Sequence, residues 1–123
     1  MTNVVPLKIL LVDNAPDRKE RIALLRSHGL TVYPALDLVQ ARQRCKTGRF
    51  ALIVINAAMA PDLALEVCDQ IRSENPEQPL IMMTAPGVSA PARDYVESMH
   101  PEALLKRVKA MLTTAQAGKA LAA

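Results

Sequence analysis

Three apolar runs in this chain end on polar residues. KILLV (8–12) is followed by Asp13 and Asn14, LIVI (52–55) by Asn56, and LIMM (80–83) by Thr84. Runs that are apolar throughout, without alternation, read as strands buried on both faces. Their polar ends would be delivered together to one edge of a sheet. A carboxylate in such a place could attack as a nucleophile or ligate a hard cation. Asp13 is the only carboxylate at these strand ends. Asn56 carries an amide, a far weaker nucleophile than a carboxylate. Mg²⁺ demands oxygen ligands, chiefly carboxylates, in near-octahedral geometry. One carboxylate with two amide oxygens is a poor set for such a cation. No Ser/His/Asp or Cys/His set, Gly-rich phosphate loop or metal-ligand spacing is present. His28 and His100 stand alone near predicted helix ends.

The elements that must position these residues alternate. KILLVDN is a buried strand. A helix follows, with Pro16 placed to start it and Gly29 to stop it. Its apolar side is Ile22, Leu24 and Leu25, and its cations Arg18, Lys19, Arg21 and Arg26 read as a solvated face, like Lys106, Arg107 and Lys109 later. LTVYPA (30–35) is a strand. Leu38, Ala41 and Cys45 form one side of a helix ending at Gly48. FALIVIN (50–56) is a strand. Pro61 opens a helix with Leu65, Cys68 and Ile71 on one face, and PLIMMTA (79–85) is a strand. PEALLKRVKAMLTTAQ (101–116) is the clearest helix, and AGKALAA (117–123) reads as a frayed tail. Such alternation predicts an α/β fold with a parallel sheet covered on both faces, right-handed crossovers, and a site at the carboxyl ends of the strands.

The bulk numbers set the class. A chain of 123 residues is one domain, here 1–123 with a core over about 7–113. It is half hydrophobic, which excludes a disordered chain. The net charge of +3 falls short of a nucleic-acid footprint. Cys45 and Cys68 form no CxxC pair and are expected as free, buried thiols. With no signal peptide and no apolar run long enough to span a bilayer, a cytoplasmic protein that does not bind membrane is expected.

Five segments, in order, resemble the receiver domain of bacterial response regulators, the CheY-like family. LLVDN resembles the first strand, which there ends in two acidic residues. LIVINAAMAPDLALEVCDQIR resembles the segment reading aspartate, two residues, Met-Pro and then Asp-Gly. PLIMMTA resembles the strand ending in Thr-Ala, DYV the fifth strand with its aromatic switch residue, and HPEALLKRVKAML the last helix. The resemblance implies a flavodoxin-like doubly wound sheet of five parallel strands in order 2-1-3-4-5. It also implies a phosphorylation switch. An aspartate takes a phosphoryl group from a histidine kinase, three acidic residues hold Mg²⁺, and a Thr and a Lys bind the phosphoryl oxygens.

Here the chemistry departs from that pattern. Asn14 stands at the second acidic position, Asn56 at the phosphoacceptor, Ala60 and Ala64 for Pro and Gly, and Ser98 where the Lys belongs. The former phosphorylation pocket would be Asp13, Asn14, Asn56, Thr84 and Ser98, and the Mg²⁺ binding that the resemblance implies is expected to be lost there, with no cofactor in its place. The expected function is a degenerate receiver in two-component signalling: a phosphorylation-independent protein-interaction module, not an enzyme. Rivals are a receiver phosphorylated on Asp13 or Asp62, and a weak nucleic-acid binder. The segment APGVSAPARD, with Pro86, Gly87 and Pro91, opposes a full helix between the fourth and fifth strands. A shortened helix there would uncover a face near Tyr95, Val96 and Met99 for a protein partner or a second copy. A competing reading makes residues 90–99 a short helix.

Overall fold

In the computed structural model of the chain, residues 7–57, 61–84, 95–96 and 101–122 are described. The order is β1 (Lys8–Val12), α1 (Arg18–Ser27), β2 (Thr31–Ala35), α2 (Leu38–Thr47), β3 (Leu52–Asn56), α3 (Pro61–Glu74), β4 (Leu80–Met83), β5 (Tyr95–Val96) and α4 (Pro101–Ala122). The strands form one parallel sheet in the order β2-β1-β3-β4-β5. This is the α/β flavodoxin-like architecture expected. The strand over Tyr95–Val96 decides against a helix there. No helix occurs between β4 and β5 among the described residues, and residues 85–94 lie outside them.

Why the strands are apolar throughout follows from the two layers that cover them. Leu10, Val12, Ile53, Ile55, Leu80 and Met82 pack with Ala41 of α2 and Ala64, Val67 and Cys68 of α3. Their neighbours Ile9, Leu11, Leu52, Val54, Ile81 and Met83 pack with Leu25 of α1 and Leu104, Val108 and Leu112 of α4. Successive side chains point to opposite faces, so each strand feeds both layers.

Local chemistry sets the helix ends. Asp37 caps α2, accepting from the Gln40 amide at 2.8 Å, while the Gln40 side chain accepts from the Leu36 amide at 2.8 Å, a reciprocal cap. After α1, Gly29 takes φ 81°, a left-handed conformation that glycine adopts without a Cβ clash. Helix α4 runs for 22 residues, through Ala122. This corrects the expectation of a frayed tail from residue 117. The Ala-rich end (only Gly118 opposes it) favours helix by intrinsic propensity, with no apolar stripe needed.

Candidate functional site

Register brings the strand ends together. Val12 pairs with Ile55, so Asp13 lies beside Asn56, and Asn56 in turn pairs with Met83, one residue before Thr84. Alternation assigns Asp13 and Asn56 to the face of Leu11 and Val54, the face that α1 covers. Both are buried, with 2% and 1% of their surface exposed, and Thr84 is buried at the neighbouring strand end.

Asp13 is the centre. Its Oδ1 accepts from the Ala15 amide at 2.9 Å and from Asn56 Nδ2 at 2.9 Å. Its Oδ2 accepts from Arg21 Nε at 2.7 Å and lies 2.7 Å from Arg21 Nη2. A carboxylate offers about four lone-pair sites, and these four contacts fill them. The Asn56 amide turns its NH₂ toward this carboxylate, as a third donor beside Arg21 and the Ala15 amide. An aspartate at position 56 would face Asp13 with a second negative charge. The amide belongs to a hydrogen-bonded pair that a carboxylate would break.

Arg21 corrects the sequence-based expectation. Read as part of a solvated face, it is fully buried, one helical turn before Leu25. Its Nη1 and Nη2 donate to Asp17 Oδ2 and Oδ1, each at 2.8 Å, a two-pronged pair. Burial works against the charged guanidinium, but the bonds to Asp17 and Asp13 outweigh it and hold its pKa above the ordinary value. In return, the hydrogen bonds from Arg21 hold the Asp17 carboxyl below the usual carboxylate range. Asp17 sits at the N-cap of α1 yet makes no side-chain cap bond. A cap of that kind contributes about 0.5–2 kcal/mol, and Asp17 forgoes it to hold Arg21. Two signals pointed to this pair: the i,i+4 spacing of Asp17 and Arg21, and the place of Arg21 on the apolar stripe with Leu25.

The remaining expected residues distribute differently. Asn14 is exposed and does not join the cluster. Ser98 and Met99 lie outside the described residues, as do the side chains of Asp62, Tyr95 and Val96. Cys45 and Cys68 are free thiols, as expected, with Cys45 half-buried and Cys68 buried. Burial pushes the Cys68 thiol up to about 11, and burial, with Glu74 nearby, raises Cys45 as well. His28 is exposed, with Lys109 Nζ 3.1 Å from its Nδ1, a link between α1 and α4.

These donors do not fit Mg²⁺, the ion that the resemblance implies. The one carboxylate is saturated, and its nearest strand-end neighbour presents N–H rather than oxygen to it. A divalent ion would have to displace a guanidinium already bonded there. Among the described residues no group of three or more His, Cys, Asp or Glu is placed to hold a metal ion, and no helix is long and apolar enough to cross a membrane.

Comparison with known proteins agrees with the topology. Residues 9–116 match the model of the response regulator receiver domain. The chain is 34% identical over 120 residues to the response regulator MprA of Mycobacterium sp. (strain KMS), covering 88% of this chain and 51% of that protein. It is 35% identical over 118 residues to MprA of Mycobacterium ulcerans, covering 86% and 50%. It thus spans about half the length of these curated relatives. Among solved structures, a CheY-like receiver domain protein from Methanospirillum hungatei superposes with a TM-score of 0.79 at 20% identity, over 93% of this chain and 99% of that one. A putative response regulator from Chloroflexus aurantiacus gives 0.76 at 24% identity, over 89% and 99%. With its strand order, its polar strand ends and this match over nearly its whole length, the chain belongs to the response regulator receiver domain family.

Proposed function

We propose that the chain is a degenerate receiver: a two-component signalling module that works by docking other proteins, independent of phosphorylation and of any cofactor, and without catalytic activity of its own. One observation carries the reading. The strand-end position that needs a free carboxylate holds Asn56, and the amide is committed to Asp13. Asp13 cannot readily take the missing role, since it is buried and its lone pairs are filled by Arg21, Ala15 and Asn56. Signalling then rests on surfaces, and the face beside β5, with Tyr95, Val96 and Met99, is the proposed contact for a protein partner or a second copy.

The test is incubation of the intact protein with a small phosphodonor and Mg²⁺, followed by mass measurement. The expected spectrum is unchanged. A gain of one phosphate, mapped to Asp13, Asp62 or any other carboxylate, overturns the proposal.

A further inference from the structure

We propose that Arg21 is the pocket's resident cation: its guanidinium balances Asp13 in the way a divalent ion does in receivers that keep their acidic cluster. This deepens the reading above by naming what replaced metal regulation. Three observations converge on it. First, Arg21 is buried on the inner face of α1, beside Leu25 of the core and the partly buried Ile22 of the same helix, and an unpaired charge there would be costly. Second, its contacts are those of a counter-ion rather than of packing. It meets Asp13 through Nε and Nη2, and Asp17 through Nη1 and Nη2, all within 2.8 Å. Third, the groups it joins span the site. Asp13 follows β1, Asp17 begins α1, and Asn56 ends β3 and reaches the same carboxylate.

A metal ion can leave, and its departure frees the ligands. A guanidinium on the chain cannot. The pocket is therefore held in one charge state, with α1 tied to the ends of β1 and β3. Asn14, the residue after Asp13, is exposed and adds no second acidic group to the pocket. The planar fork of arginine matters as well. A lysine supplies the charge but not a two-pronged pair to Asp17 together with Nε and Nη2 contacts to Asp13 Oδ2.

The experiment is chemical rescue in the full chain. Parent, Arg21→Ala, Arg21→Met and the double variant Asp13→Asn/Arg21→Met are melted with and without millimolar guanidinium, methylguanidinium or Mg²⁺. NaCl at matched ionic strength is the control. The parent melting temperature should be the same with every cation. Arg21→Ala should melt lower and regain part of the loss, saturably, with guanidinium or methylguanidinium at concentrations too low to denature. Arg21→Met should melt lower, and the double variant should recover toward the parent, because neither charge is then left without its partner. Should Arg21→Ala not fold, the two methionine variants carry the test.

A double variant no more stable than Arg21→Met would show that Arg21 serves by packing alone and would overturn the proposal. So would a parent stabilised by Mg²⁺ beyond the NaCl control, or a folded Arg21→Ala indifferent to guanidinium. None of these results depends on phosphorylation. A phosphate gain in the parent would remove the proposed function and leave the ion-pair result standing, and failed rescue would do the reverse.

Discussion

Replacing Asn56 by aspartate puts a second carboxylate at the strand ends, and the pocket geometry predicts that it destabilises the fold. The substitution is nearly isosteric, so its effect is electrostatic. It removes the Nδ2 donor that lies 2.9 Å from Asp13 Oδ1, a charge-assisted bond that contributes about 1.5–3 kcal/mol. It also places two carboxylates side by side, a repulsion of about 4 kcal/mol for unit charges at ~4 Å and an effective dielectric constant near 20. Attraction to Arg21 offsets much of that second quantity. A net loss of about 3 kcal/mol follows from these two effects. Two crowded like charges favour protonation of the pair in the native state. A folded-state carboxyl pKa raised in this way gives stability that is lost as pH rises through the raised value. Urea unfolding should find Asn56→Asp weaker than the parent by about 3 kcal/mol at pH 8, and by less at pH 5. Mg²⁺ should not repair the loss while Arg21 is present. An Asn56→Asp protein as stable as the parent at both pH values would refute the contact between the ends of β1 and β3.

Asp17→Asn should destabilise less, because the Asp17 side chain is half exposed and screened by solvent. Its carboxyl pKa is depressed by Arg21, so the contribution is present above the ordinary value of 3.8 and disappears as pH falls through the folded value. Denaturation curves of parent and variant should thus converge in acid, and curves that stay apart would point to a different role. With a thiol reagent at neutral pH, Cys45 should react well before Cys68, whose thiol is buried and pushed up to about 11. Equal labelling rates would contradict the packing of α3. Gly29→Ala should cost about 1–2 kcal/mol, since a Cβ is disfavoured at positive φ although nothing lies within 4 Å of it. Gly29→Asn should recover part of this, and an alanine variant of parental stability would count against the left-handed turn.

How far the chain could be read beforehand depended on the kind of signal. The strands announced themselves because both of their faces are buried, which leaves an apolar run with abrupt polar ends, as in LIVI followed by Asn56. Register between Asp13 and Asn56 was implied by the same ends. Arg21 was misread because the cations of α1 lie close together, and charge in an amphipathic helix usually faces water. Its helical register with Leu25 argued otherwise, but the compensating carboxylates come from two different places, one local and one on β1. Only the folded chain brings both to the guanidinium. Asn14 failed in the opposite sense. It follows Asp13 directly, yet the alternation that turns Asp13 inward turns its neighbour out to solvent. The continuation of α4 to Ala122 carries no apolar periodicity from which a helix could be inferred.

The Asp13 cluster also has a temporal side. Its bonds span very different lengths of chain: Asp17 to Arg21 across 4 residues, Asp13 to Arg21 across 8, and Asn56 to Asp13 across 43. Short loops close quickly, and the cost of closure grows with length. The two ion pairs can therefore assemble as α1 forms, while the Asn56 bond must wait until β3 docks beside β1. Until then Asp13 keeps a lone pair facing water. The docking of β3 completes the desolvation of a charge that the first helix had already paired. Loss of the Asn56 amide should then speed unfolding more than it slows folding. The Asp13 cluster would then act as a late latch in the folding of the domain.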